Sequence, residues 1–122
     1  MKVEKDYNVI HDNLPEELEV KKLGRNLYEL TLNENIETIE IENEDGTVEE
    51  KYTSDRANAI DKFDNLDEIK GALVQLKYSQ FKENGLTNKG IVEPENEEYL
   101  EYRAYVEKCK AYVNGAKAVL QN

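Results

Sequence analysis

Side chains able to carry chemistry are few in this sequence, and they do not stand together. The one cysteine, Cys109, and the one histidine, His11, lie near opposite ends of the chain. A Cys/His nucleophile pair would need the fold to join them, and no feature of the sequence does so. Cys109 falls between Val106 and Val113 on an apolar stripe, while Lys108 and Lys110 point around the helix away from it. That setting predicts a buried, inert thiol. His11 falls in an expected loop. Acids are plentiful: residues 34–50 (ENIETIEIENEDGTVEE) hold eight and no base. Such a run could hold a cation, dock a basic partner or imitate nucleic-acid charge. A calcium loop needs liganding oxygens at fixed offsets around a glycine and a terminal bidentate acid, and NEDGTVEE lacks that spacing. Asp61, Asp64 and Asp67, three apart, also fail it, leaving room only for weak divalent binding. The plainer reading is a solvated face that keeps an edge strand from pairing with other chains.

No phosphate-binding glycine loop, zinc motif or serine-hydrolase elbow occurs. No two acids are spaced to act as general acid and base on one element. The sequence therefore assigns no catalytic, cofactor-binding or metal-ligating residue, and the expectation is a protein without enzymatic activity. Four of the eight tyrosines crowd into EYLEYRAYVEKCKAYV, residues 98–113. Tyrosine is enriched at interfaces, so this stretch could form an aromatic contact surface. Tyr99 and Tyr102 fall on the apolar stripe with their hydroxyls reaching its polar edge. Tyr105 and Tyr112, with Val119, lie along one border of the stripe and are the candidates for a protein interface.

The elements that would position these residues follow from periodicity. NLYELTL sets Tyr28, Leu30 and Leu32 on one face against Glu29 and Thr31, a half-buried strand. ETIEIEN repeats the alternation with Ile39 and Ile41. Asp45-Gly46 is a two-residue hairpin signal, and closing on it sets Ile39 opposite Tyr52 and Glu40 opposite Lys51. An earlier strand around residues 19–23 would complete a β-meander over 19–56. Residues 1–18, broken by Asn13-Leu14-Pro15, read as a loose arm or an edge strand. Residues 53–65 are polar, and the period changes there. Asn65 then caps a helix over 66–78 carrying Leu66, Ile69, Leu73 and Leu76, with Asp67 and Glu68 in its first turn. Ser79 caps a short second helix that ends at Gly85 or Gly90. The last helix, about 95–120, repeats Tyr99, Tyr102, Val106, Cys109, Val113, Ala116 and Leu120 at alternating steps of three and four. The expected fold is α+β: an N-terminal antiparallel meander, then a C-terminal helical hairpin, residues 65–122, with one long amphipathic helix.

At 122 residues the chain is the size of one domain, large enough to fold without disulfide or metal. Its net charge of −11 is concentrated in residues 1–65, which hold 18 acids against 8 bases. Such a surface repels phosphate backbones and anionic membranes, so neither nucleic acid nor membrane is an expected partner. No apolar run approaches a membrane span, and MKVEKDYNVI lacks the apolar stretch of a signal peptide. A single cysteine fits a reducing cytoplasm or an assembled particle.

ALVQLKYSQ followed by NKGIVEPENEEYLEYRAYVEKCKA resembles the C-terminal part of small proteins encoded among the tail genes of temperate phages and prophages of Gram-positive bacteria. The likeness rests on an apolar helix ending in Lys77-Tyr78-Ser79, a short acidic helix, and a Glu-Tyr-rich helix with Cys109-Lys110. It covers about 45 residues, and Gly85 departs from it by interrupting the acidic helix. No functional residue is implied. A setting is: a tail-associated or tail-assembly protein, cytoplasmic while expressed and virion-associated afterwards, working through a protein partner or as a homo-oligomer. The rival expectation is an acidic inhibitor that imitates DNA before a host nucleic-acid-binding enzyme. That role needs acids in one continuous ridge. A third, a weak cation-dependent module, would melt at a higher temperature with added calcium.

Overall fold

Four strands precede four helices in the computed structural model, which describes residues 1–121. Strands β1 (Glu4–His11), β2 (Leu18–Gly24), β3 (Leu27–Glu42) and β4 (Val48–Lys62) form one antiparallel sheet in the order β1-β4-β3-β2. Helices α1 (Leu66–Gln75), α2 (Gln80–Val92), α3 (Glu97–Gly115) and α4 (Lys117–Leu120) follow. The fold is α+β. The meander covers β2, β3 and β4, while β1 adds itself to the free edge of β4. Of the two readings of residues 1–18, the edge strand holds for Glu4–His11, and His11 ends that strand opposite Tyr52 instead of lying in a loop.

One face of the sheet carries the core. Leu18, Val20, Tyr28, Leu30, Leu32, Ala57 and Ala59 are buried against Ile69, Leu73 and Leu76 from the first helical segment and Tyr102, Tyr105, Cys109 and Val113 from α3. Inward alanines explain why residues 53–62 look too polar for a strand yet extend β4. Ala57 and Ala59 give little hydrophobic signal, and Arg56, Asn58 and Ile60 occupy the opposite face. The helix caps are as expected. The Asn65 side chain accepts from the Glu68 N–H at 3.0 Å, and Ser79 Oγ from the Lys82 N–H at 3.2 Å. Helix α2 continues through both Gly85 and Gly90 to Val92. A glycine inside a helix costs only about 1 kcal/mol, too little to end it.

The last helix is shorter than its stripe. It stops at Gly115, and Ala116 turns the chain into α4, which returns Leu120 to the core. Its 19 residues span about 28 Å. The buried line runs through Tyr102, Tyr105, Cys109 and Val113, with Val106 only half-buried, so the stripe centres half a step towards its Tyr105 border.

The β3–β4 hairpin departs from its expected register. Thr38 faces Tyr52, Ile39 faces Lys51, and Glu40 faces Glu50. The turn has three loop residues, Glu44-Asp45-Gly46, closed by the Asn43 N–H donating to the Thr47 carbonyl at 2.8 Å. Gly46 sits at φ 84°, the left-handed third position that a three-residue loop requires. The expected Glu40–Lys51 ion pair is therefore absent. Lys51 instead reaches Asp12 at 2.7 Å.

Candidate functional site

Beyond Asn33 in β3 and before Ser54 in β4 no residue is buried, so the hairpin leaves the body as an arm. Its paired part, Thr38–Glu42 against Val48–Tyr52, spans about 17 Å. Glu40 and Glu50 face each other on one side, while Ile41 faces Glu49 on the other. The acids are thus divided between the two faces and form no single ridge.

Two bulges set the root of the arm. Tyr7-Asn8 in β1 oppose only Asp55, and Asn35-Ile36 in β3 oppose only Ser54. Asn8 and Asn35 both adopt left-handed backbone, at φ 55° and 51°. The Asp55 carboxylate joins them, accepting from the Asn8 backbone N–H at 3.1 Å and the Asn35 side-chain amide at 2.9 Å. Those two donors hold its carboxyl below the usual carboxylate range.

Next to this junction runs a buried polar chain. The Asn33 amide donates to the Glu16 carbonyl at 2.8 Å, which leaves its Oδ1 to accept from Ser54 Oγ at 3.0 Å. Ser54 has one hydroxyl proton and spends it there, so His11 Nε2, 2.8 Å from Ser54 Oγ, must be the protonated nitrogen that donates to it. That polarity is the reverse of the one that activates a serine, where histidine accepts the hydroxyl proton. The chain secures β1 and the 12–17 connection to the centre of the sheet.

The open face of the sheet and the 12–17 connection enclose a cleft of about 550 Å³. Arg56, half-buried on its floor, makes no side-chain hydrogen bond or ion pair with any described residue, and its Nε is shut from solvent. The walls add Glu19, Lys21, Glu29 and Thr31. Glu19 is occupied by Lys21 at 3.5 Å and Asp12 by Lys51, whereas the side chain of Glu29, like that of Arg56, has no partner among the described residues.

No family model matches the chain, and neither curated proteins nor solved structures give a match.

The remaining candidates fall as follows. Tyr105, expected at an outer contact, is 4% exposed and donates to the Leu73 carbonyl at 2.7 Å, satisfying a carbonyl near the end of α1. Tyr112 is half-buried, its hydroxyl accepting from the Val20 N–H of β2 at 2.9 Å. Both hydroxyls are held by the fold; burial takes Tyr105 from the outer surface, while Tyr112 keeps part of its ring exposed. Val119, 74% exposed, faces outward. Tyr99 and Tyr102 direct their hydroxyls to the polar edge, where they meet Arg103 and Glu83. Cys109 is fully buried, and burial lifts its thiol to about 11. Among the described residues, no three His, Cys, Asp or Glu side chains gather to hold a metal ion. No helix among them is long and apolar enough to cross a membrane.

The sequence reading overlooked Arg56 and the outer side of α2. Phe81 is 89% exposed, and Ile91 and Val92 are 75% and 79% exposed on the side away from buried Leu86. Phe81 and Val92 lie on one line along the helix, three turns apart. The signal was present, since apolar residues at 81, 91 and 92 cannot share a face with Leu86.

Proposed function

We propose that this protein acts without enzymatic chemistry, by protein–protein contact, as an accessory of the tail or tail-assembly kind that its C-terminal residues resemble. The observation that carries this reading is the outer side of α2, where Phe81, Ile91 and Val92 stand in water on a helix that buries only Leu86 and Gly90. A partner that covers Phe81 at one end of this face and the Ile91-Val92 pair at the other would take three bare apolar groups out of water. The acidic arm adds a second surface. Glu40 opposite Glu50 is an unfavourable cross-strand pair that a cationic partner would relieve.

The test is capture of tail proteins encoded beside this chain, with light scattering of the chain alone. Phe81→Glu combined with Val92→Glu should abolish capture while leaving the melting temperature within a few degrees, because both side chains are exposed. A strict monomer that takes up no tail protein at micromolar concentration would overturn the reading.

A further inference from the structure

Three side-chain charges in the cleft have no partner among the described residues: Arg56, exposed Glu16, and half-buried Glu29, which faces Lys21 across the strands without an ion pair; Arg56 and Glu29 are held apart. Arg56 pairs in register with Asn33, and Glu29 lies four residues further along β3, so their backbones are separated by about 13 Å along the strand. At that separation they line one cavity without meeting. The Arg56 Nε is sealed from water, so the two terminal guanidinium nitrogens, without a partner among the described residues, are the donors that a ligand in the cleft can reach. A guanidinium prefers a carboxylate or phosphate, which it grips with two parallel hydrogen bonds. The rim decides between them. Asp12, Glu16, Glu19 and Glu29 outnumber the bases and disfavour a multiply charged phosphate, while unmatched Glu29 asks for a cation.

We propose that this cleft binds a small zwitterion, its carboxylate on the Arg56 guanidinium and its ammonium on the Glu29 carboxylate. An amino acid or a short peptide supplies both groups, and a cavity of about 550 Å³ lies in the range of small-ligand sites. The site is on the face of the sheet opposite the helices, so it stands apart from contact through α2.

The test uses the full chain labelled with nitrogen-15, following the Arg56 Nε–H resonance during titration. Glycine and glycylglycine distinguish a single amino acid from a peptide; acetate, methylammonium and inorganic phosphate present one charge type each. A saturable shift with glycine or glycylglycine is expected, at least tenfold tighter than with acetate, methylammonium or phosphate. Glu29→Gln and Arg56→Gln should each weaken it at least tenfold. Glu29 is half-buried and unpartnered, so its variant keeps the test valid if Arg56→Gln does not fold. No shift with either zwitterion at about 10 mM would overturn the proposal. So would equal binding of acetate or phosphate, or unchanged affinity in Glu29→Gln.

Discussion

Three helical glycines should respond to the same substitution with different signs. A Cβ added at Gly71 in α1 or Gly85 in α2 meets nothing within 4 Å. Alanine there should deliver its helix preference undiminished, about 0.8–1 kcal/mol at each site. For a domain of this size that amounts to a rise in Tm of about 3–5 °C per substitution. Gly90 has the same backbone conformation but a different neighbour. Its added Cβ would lie 2.3–2.5 Å from three ring atoms of Tyr99. That ring must move, and displacing packed groups costs about 1–3 kcal/mol, more than the helix preference returns. Gly90→Ala should therefore give none of that rise and lower stability by up to about 2 kcal/mol, net of the helix preference. Urea unfolding followed by circular dichroism measures all three. Tyr99→Ala should then spare Gly90→Ala its penalty, so that the double variant loses less than the sum of the single changes. If Gly90→Ala stabilises as Gly85→Ala does, or if the two losses simply add, the packing of Tyr99 on α2 is wrong.

Further outcomes follow from the buried polar groups. Tyr105→Phe should cost about 1 kcal/mol in urea unfolding, since it takes the 2.7 Å donor from the buried Leu73 carbonyl and leaves it only the Leu76 N–H at 3.3 Å; a loss below about 0.3 kcal/mol would mean that the bond contributes nothing. Ser54→Ala should cost about 2 kcal/mol by leaving both Asn33 Oδ1 and His11 Nε2 without their partner. Stability should fall at alkaline pH. Cys109 keeps its proton to about 11 in the fold, against about 8.5 in the unfolded chain, so its contribution is full below 8.5 and is lost as pH rises towards 11. The shift is worth about 3 kcal/mol, and Cys109→Ala should flatten the decline between about pH 8.5 and 10. Burial raises Tyr102 and Tyr105 as well, which steepens the loss above about pH 10. A wild-type stability that stays level to pH 10 would contradict a buried thiol.

The helical half was legible because its signals are local. Asn65 and Ser79 cap their helices through bonds that span three residues, and Ile69, Leu73 and Leu76 need only one face to bury. Likewise Tyr28, Leu30 and Leu32 alternate against a single core and occupy the face expected of them. The rest depended on distant partners. Whether Asp45-Gly46 closes a two-residue or a three-residue loop shifts the register by one, and Gly46 can serve either geometry. The place of β1 beside β4 is stated by no nearby residue. The bulges at Asn8 and Asn35 also involve a distant residue, since the Asp55 carboxylate accepts a bond from each. Arg56 draws notice only once the surrounding acids prove to be engaged elsewhere or out of reach. Tyr105 was misplaced because the buried line centres half a step towards it, and its hydroxyl then meets the distant Leu73 carbonyl.

The Asp55 junction makes the arm aimable. Bulges bend the strands they interrupt, and here both neighbours of β4 are interrupted at adjoining levels, fastened to one carboxylate. The angle at which the tip departs is therefore governed by a single knuckle, while its length and charge are governed by the residues beyond. Reach and direction can change separately: altering the outer strands would lengthen or recharge the probe, and altering the two bulges at its root would turn it.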